Sequence, residues 1–192
     1  TVNPSFSIIS SEKAKEQNIR FLDAPVAGSK PQAENKELVF FVGGNNSDIL
    51  EAEPLLSLMG KKVLSIGSIG KGSSFKMAVN MMLGQSMAIF SETVLFGQSM
   101  GIDKEFLLDV LPGLPIAAPF TKFKAENIRN DEWEEQFPLE LMHKDLHLAA
   151  LTAYENGLPI PMTNLTKELY GKAKKEGMGR LDMSAIYRSM EG

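Results

Sequence analysis

The chain changes its pattern of apolar residues at a glycine-rich segment, residues 67–72, and this change constrains the fold more than any other feature. Before it, short apolar runs end at glycines, and such runs are typical of strands covered on both faces. After it, no run has the pattern of a strand, and long helix-compatible stretches are divided by Gly and Pro. The sequence therefore predicts a small α/β part, residues 1–66, followed by an all-helical part, residues 67–192.

The elements expected within these two parts follow from the same pattern. Strands are predicted over residues 20–26, 38–42 and 62–66. Helices are predicted over residues 10–18, 48–59 (Ser47 as N-cap, Gly60 at the end), 73–100, 104–111 (Asp103 as cap), 137–156, 163–176 and 184–190, and the middle, with Pro115, Pro119 and Pro138, is expected to be rich in loops. Three short strands are marginal as a sheet on their own, so they are expected to be the end of a larger sheet.

The composition excludes several classes of protein. The 192 residues include no cysteine, which excludes disulfide scaffolds, thiolate zinc sites and cysteine nucleophiles. A net charge of −4 argues against a nucleic-acid-binding protein, because such proteins present concentrated basic faces. The uncharged stretch over residues 77–91 is too short for a membrane span, and the first residues lack the pattern of a signal peptide. A cytoplasmic protein is expected, and a fragment of a larger protein is equally allowed.

Lys76 and Asn80 are the strongest candidates for catalysis. They follow a strand and a glycine turn, and they lie four residues apart, so they project from one face of the predicted helix. The N-terminus of that helix offers backbone N–H groups to an anion such as a carboxylate. An ammonium beside an amide can bind an oxygen-bearing substrate, and a partly buried lysine can act as general acid or base. Taken alone, a lysine near a helix start is more often a solvated surface charge.

A second candidate is the loop that follows the first strand, residues 23–29. In α/β sheets, ligands bind outside the carboxyl ends of the strands. A ligand that approaches the backbone closely would explain Gly28. A tight turn that needs glycine explains it about equally well.

His143 and His147 lie four residues apart on a predicted helix, which is the spacing of zinc-binding helices. Lys144 stands where such metalloproteases have a glutamate, and no third ligand is evident. No metal site is therefore expected, and a solvated or partner-facing pair of histidines is the better interpretation.

Four segments of the chain form an ordered set of motifs. They are Thr-Val-Asn-Pro at residues 1–4, Asp-Ala-Pro-Val-Ala-Gly at 23–28, the glycine turn with its lysine and asparagine at 67–80, and Lys-Asp-Leu-His-Leu-Ala at 144–149. Together they resemble the β-hydroxyacid dehydrogenase family, which includes 3-hydroxyisobutyrate dehydrogenases and glyoxylate/succinic semialdehyde reductases. The resemblance implies the α/β remnant of a Rossmann-like domain, followed by an all-α C-terminal domain of the 6-phosphogluconate dehydrogenase type.

The resemblance also implies a reaction, in which hydride passes between NAD or NADP and a small 3-hydroxy acid or aldehyde acid. Lys76 would protonate the nascent alkoxide during reduction and accept the proton during oxidation. Asn80 would orient the substrate through hydrogen bonds. The helical part would form most of the interface of a homodimer or homotetramer.

Binding roles follow from the same resemblance. Ala27, Gly28 and Ser29 would line the site of the substrate carboxylate. Thr1 and Lys144 would contact the cofactor near its nicotinamide end.

Three positions depart from the family pattern. Ala27 replaces a serine, Ser29 replaces a second glycine found in many members, and Val79 replaces an asparagine found in many members. The pair Ser29-Lys30 favours the glyoxylate/succinic semialdehyde reductase branch.

The largest departure is a missing motif, since the chain has no G-x-G-x-x-G sequence to hold a pyrophosphate. We expect a family member that lacks roughly the first 100 residues, the size of the βαβ units that build such a half. Alone, it is expected to bind dinucleotide poorly. The alternative is a non-catalytic helical dimerisation or scaffolding module that kept the fold and lost the reaction.

Overall fold

The computed structural model describes residues 1–192 and contains nine α-helices and a three-stranded sheet. The helices are α1 (Pro4–Glu16), α2 (Lys30–Glu34), α3 (Asn46–Leu56), α4 (Lys71–Ser99), α5 (Lys104–Val110), α6 (Thr121–Asn130), α7 (Leu139–Glu155), α8 (Pro161–Ala173) and α9 (Ile186–Glu191). The strands are β1 (Val26–Ala27), β2 (Leu38–Gly43) and β3 (Gly60–Gly67).

The chain forms two compact units. The first comprises residues 1–80 and 148–159, and the second comprises residues 81–147 and 160–192. All three strands lie in the first unit, and the second unit is helical. The expected fold class, an α/β part followed by a helical part, is confirmed. None of the helices combines the length and the apolar character that crossing a membrane would require.

The sheet of the first unit has the order β1-β2-β3, with β1 antiparallel and β3 parallel to β2. The central strand β2 is buried from Phe40 onward, and Phe40 and Val42 pack against Ile49 of α3. The predicted strands over residues 38–42 and 62–66 are confirmed, as is the α/β unit that they form with the helix between them.

The predicted strand over residues 20–26 is wrong in most of its length. Asp23 forms an isolated antiparallel bridge with Gly43, and the chain then continues into the two-residue strand β1. Pro25 lies between the two, and a proline has no N–H to give to a ladder of hydrogen bonds. Its carbonyl oxygen still accepts the Phe41 N–H at 2.8 Å. The backbone therefore follows β2 without forming a continuous strand.

Two helix starts differ from their predicted positions. α1 begins at Pro4 because Asn3 caps it, its Oδ1 accepting the Ser5 N–H at 2.9 Å. The prediction of Ser47 as the N-cap of α3 is wrong, because Asn45 holds that position. In both cases the helix begins earlier than predicted, and element boundaries are the least reliable part of a sequence-based assignment.

Other boundaries also depend on contacts outside the element. Gly60 was expected to end a helix, but it pairs with Leu38 and begins β3. The short helix α2 was not predicted, and α8 ends at Ala173, before a π-helical turn. The helices predicted over residues 73–100, 104–111, 137–156 and 184–190 are confirmed to within two residues at each end.

The core of the second unit includes the facing residues of α4 and α7. Met87 and Val94 of α4 are fully buried, as are Met142 and Leu146 of α7. Gly84 allows the two helices to approach, because a Cβ at this position would lie 2.9 Å from Met142 Sδ.

α6 occupies part of the segment that was expected to be a loop, and that expectation is wrong. Its buried residues, Thr121, Lys124, Ala125 and Ile128, have helical spacing, but two of them are polar. Lys124 is buried because its Nζ lies 2.8 Å from Asp182 Oδ1, a partner 58 residues away. A helix whose buried face depends on a distant ion pair lacks the apolar stripe by which sequence patterns reveal helices.

Candidate active site

α4 begins at the glycine turn and carries both predicted catalytic residues. Gly67 and Gly70 have positive φ angles of 138° and 86°, and the helix starts immediately afterwards. Asn80 is 1% exposed, and Lys76 is half-buried on the same face one turn earlier. This partial burial argues against Lys76 as a fully solvated surface charge.

A carboxylate of the chain itself occupies the N-terminus of α4. Asp23 Oδ2 accepts the Ser73 N–H at 2.8 Å, and Asp23 Oδ1 accepts the Ser73 hydroxyl at 2.6 Å. Negative charge is favourable at a helix N-terminus because the first N–H groups point towards it. The sequence suggested an anionic ligand at this position, but in the structure the Asp23 carboxylate accepts the Ser73 N–H instead. A phosphate placed there would be repelled by the carboxylate.

Ser7 of α1 completes a buried polar cluster with these two residues. Its hydroxyl donates to Asp23 Oδ1 at 3.0 Å and lies 3.3 Å from Ser73 Oγ. Each of the three side chains is at most 4% exposed. A buried carboxylate needs such donors because it has lost its hydration. We call Ser7, Asp23 and Ser73 the Asp23 cluster.

The predicted substrate loop is fixed to the sheet. Ala27 lies in β1, at the edge of the sheet. Gly28 has a φ of 119°, and a Cβ there would lie 2.9 Å from both Gln32 Cβ and Leu38 Cδ2. The turn and its packing therefore require glycine at this position without any ligand.

Ser29 uses its donors within the protein. Its backbone N–H and its hydroxyl both donate to Gln32 Oε1, each at 2.9 Å. These bonds stabilise the start of α2. The Ser29 hydroxyl can rotate towards another acceptor, whereas its backbone N–H is released only when Gln32 Oε1 moves away.

Thr1 lies beside a cavity of about 250 Å³ in the first unit. Phe6 and Phe21 form apolar walls of the cavity, and the Asp23 cluster forms part of its polar lining. Asn3 holds the segment before α1, because its Nδ2 donates to Thr152 Oγ1 of α7 at 3.3 Å. The volume is below the roughly 300–1,000 Å³ of typical ligand pockets, so this cavity holds at most part of a dinucleotide.

Lys144, the other predicted cofactor contact, lies in the second unit on α7. Its Nζ is 2.6 Å from Asp145 Oδ1, and Asp145 is buried. Burial lowers the pKa of His143 on the same helix, and the charges of Lys174 and His147 lower it further. The structure contains no group of three or more His, Asp or Glu side chains that could hold a metal ion.

Sequence reasoning missed the serines that hold Asp23. The available signal was an acidic residue within an otherwise apolar run, because a buried carboxylate requires donors. The donors themselves are 16 and 50 residues away in the chain, at positions where nothing in the local pattern marks them.

Known proteins match both parts of the chain. Residues 1–67 match the profile of the NAD binding domain of 6-phosphogluconate dehydrogenase. Residues 70–190 match the profile described as NAD-binding of NADP-dependent 3-hydroxyisobutyrate dehydrogenase. The second match by itself covers more than half of the chain.

Curated relatives and solved structures extend this similarity. The chloroplastic glyoxylate/succinic semialdehyde reductase 2 of Arabidopsis thaliana is 34% identical over 100% of this chain and 53% of its own length. Glyoxylate/succinic semialdehyde reductase 1 of the same plant is 30% identical over 100% of this chain and 66% of its own length. The structure of Mycobacterium tuberculosis 3-hydroxyisobutyrate dehydrogenase with L-serine has a TM-score of 0.90 at 25% identity and covers 100% of this chain.

The chain is shorter than the proteins that it matches. It spans 53% and 66% of the two plant reductases and 68% of the mycobacterial dehydrogenase chain.

Proposed function

The chain belongs to the 3-hydroxyisobutyrate dehydrogenase family, and we propose that the protein encoded by its gene transfers hydride between NAD or NADP and a small hydroxy acid or aldehyde acid. The activity is proposed for the whole protein, because the chain spans only about half to two-thirds of the relatives. The names of the two plant reductases and the Ser29-Lys30 pair favour glyoxylate or succinic semialdehyde as the substrate class.

The observation that carries this proposal is the placement of Lys76 and Asn80 on one face of α4, directly after an anchored helix start. When a carbonyl carbon accepts hydride, its oxygen gains charge, and Lys76 Nζ donates a proton to that oxygen. In the oxidation direction, Lys76 accepts the hydroxyl proton as hydride leaves the carbon. Asn80 orients the substrate by hydrogen bonds from its buried amide.

The substrate carboxylate is proposed to bind at Ala27, Gly28 and Ser29. The loop has little freedom, because its glycine turn is packed against Gln32 and Leu38. The backbone N–H of Ser29 becomes available when Gln32 rotates away, so we expect binding through this donor to be coupled to that rotation.

Bound NAD or NADP supplies the hydride acceptor or donor. The position of Thr1 at the edge of the cavity is compatible with a contact to the nicotinamide end of the cofactor. Lys144 is proposed to contact the same end of the cofactor. The N-terminus of α4 does not fit a pyrophosphate, because the Asp23 carboxylate accepts the Ser73 N–H. We expect the pyrophosphate to be bound elsewhere in the whole protein.

A homodimer or homotetramer is proposed on the basis of the exposed face of α4. Met82, Ile89 and Phe96 are 71%, 56% and 66% exposed, and their spacing of seven residues aligns them on one side of the helix. Exposed apolar rows of this kind mark association surfaces.

We further propose that residues 1–66 are the end of the cofactor-binding domain and residues 67–192 the substrate and dimerisation domain. The two profile matches, residues 1–67 and 70–190, support this division. A cytoplasmic location is proposed because a chain without cysteine suits a reducing compartment.

Turnover by the Lys76→Ala variant of the protein encoded by the gene tests the proposed function. With glyoxylate or succinic semialdehyde and NADH or NADPH, kcat should fall by about 100-fold or more, because a general acid contributes about 100- to 10,000-fold. Lys71→Ala is the matched control, since Lys71 is an exposed lysine at the start of the same helix. Unchanged turnover in Lys76→Ala would overturn the role assigned to Lys76, whereas a wild type without turnover would favour the non-catalytic alternative.

A further inference from the structure

We propose that Asp23 is the positioning residue of this site, because its carboxylate fixes the first turn of α4, and with it Lys76, relative to the substrate loop. The inference rests on the proposed role of Lys76 as general acid and base. Asp23 acts on Lys76 through Ser73 and the helix between them.

The first argument is that the two carboxylate oxygens have different partners. Oδ2 accepts the Ser73 N–H at 2.8 Å, whereas Oδ1 accepts the hydroxyls of Ser73 and Ser7 at 2.6 and 3.0 Å. Hydrogen bonds to a charged acceptor are stronger than those between neutral groups. An amide in place of the carboxylate cannot accept all three of these hydrogen bonds, because its NH₂ group accepts none.

The second argument is that the backbone of Asp23 is itself fixed to the sheet. Its N–H donates to Gly43 O at 2.9 Å, and the Gly43 N–H donates to Asp23 O at 2.8 Å. The start of α4 packs on the same place, since a Cβ at Gly72 would lie 2.6 Å from Asp23 O and 2.4 Å from Phe41 O. Backbone packing and side-chain hydrogen bonds therefore hold the helix start against the end of β2.

The third argument concerns what this anchor controls. Ser73 and Lys76 are three residues apart in α4, and are therefore neighbours on one face of the helix. The substrate loop begins at Asp23 itself and reaches Ala27 four residues later. One side chain thus connects the start of the loop to the helix turn before the lysine. A misplacement of about 1 Å in a catalytic site can cost about 100-fold in rate.

The test is the rate constant of hydride transfer in a single turnover, followed by the absorbance of the reduced nicotinamide in the protein encoded by the gene. In Asp23→Asn this rate constant should fall by about 10- to 100-fold, while the amplitude and the substrate Kd change by less than about threefold. Ser73→Ala keeps the hydrogen bond from the backbone N–H to Asp23, so its rate constant should fall by only about threefold. The control Ser74→Ala removes a first-turn hydroxyl that donates to Gly70 O at 2.8 Å. Its rate constant should stay within about twofold of the wild-type value.

The outcomes that would overturn the inference are specific. A merely structural role for Asp23 would lower the amplitude or the melting temperature and leave the rate constant unchanged. If Asp23→Asn does not fold, Ser73→Ala decides, and a rate constant equal to that of Ser74→Ala overturns the proposal. Unchanged turnover in Lys76→Ala would instead overturn the role of Lys76, and a wild type without turnover would overturn the proposed function, so the failures can be told apart.

Discussion

Two buried aspartates, Asp23 and Asp182, each accept both the N–H and the hydroxyl of one serine. Asp182 Oδ1 accepts both the Ser184 N–H at 3.0 Å and its hydroxyl at 2.7 Å, whereas at Asp23 the Ser73 N–H is bound by Oδ2 and the hydroxyl by Oδ1. Asp182 has in addition the ammonium of Lys124 at 2.8 Å. Each carboxylate thereby fixes the start of a helical segment, and in the second unit it also buries a lysine.

The Asp182→Asn variant tests this ion pair. Burial raises the pKa of Asp182, but Lys124 and Ser184 outweigh burial and leave that pKa below its ordinary value. A carboxyl with a lowered folded-state pKa contributes stability above its unfolded pKa of about 3.9, and this contribution disappears as the pH falls through the folded pKa. The variant should therefore lose about 3 kcal/mol of unfolding free energy at pH 7, because Lys124 stays buried without its partner.

Urea unfolding at pH 7 and at pH 3 measures this effect, and the loss should be smaller at pH 3. Asp109→Asn serves as the control, because its ion pair with Arg129 is exposed and should contribute less than about 1 kcal/mol. An equal loss at both pH values in Asp182→Asn would contradict the account.

α4 shows how the neighbours of a glycine determine what an alanine would cost. A Cβ at Gly72 would lie 2.4 Å from a backbone oxygen, whereas a Cβ at Gly84 would lie 2.9 Å from Met142 Sδ, near the end of a flexible side chain. A backbone oxygen fixed in the sheet cannot move aside, but a methionine side chain can.

The paired variants Gly72→Ala and Gly84→Ala should therefore differ in stability. Gly72→Ala is expected to lower the free energy of unfolding by about 2 kcal/mol or more, because the helix start must shift. Gly84→Ala should stay within about 1 kcal/mol of the wild type, because the helix preference for alanine offsets part of the crowding. Urea unfolding of both variants makes the comparison, and a larger loss in Gly84→Ala would contradict it.

The elements predicted correctly are those whose signal is local. β2 and β3 are short apolar runs, and Asp103 caps α5 by accepting the Phe106 N–H at 3.0 Å within four residues of sequence. α6 was missed because Lys124 is buried by a partner 58 residues away. The candidate site shows the same division. Lys76 and Asn80 were proposed from their spacing after the glycine turn together with the family resemblance, whereas the donors that hold Asp23 come from distant segments.

At the scale of the whole molecule, the chain supplies a half-buried lysine beside a buried amide, a fixed loop and an exposed apolar helix face. The first two suit the chemistry of a hydroxy acid dehydrogenase, and the third suits self-association. Family membership gives these features one explanation, since the matched profiles together cover residues 1–67 and 70–190.

The proposed self-association is tested by Phe96→Glu. A charge within the apolar row should be unfavourable when two copies bury this face, and the protein should become monomeric. Leu50→Glu is the matched control, because Leu50 is 67% exposed on α3, outside the row. Sedimentation equilibrium measures the mass, and a wild type that is already monomeric, or a Phe96→Glu variant that keeps the wild-type mass, would contradict the proposal.

The central claim is that Lys76 moves the proton that accompanies hydride transfer. Its most direct test is the single-turnover rate constant for hydride transfer in Lys76→Ala, compared with Lys71→Ala, in the protein encoded by the gene. The account predicts a rate constant at least about 100-fold below that of the control, with the Kd of the cofactor unchanged within about threefold. Equal rate constants in the two variants would show that Lys76 takes no part in the reaction.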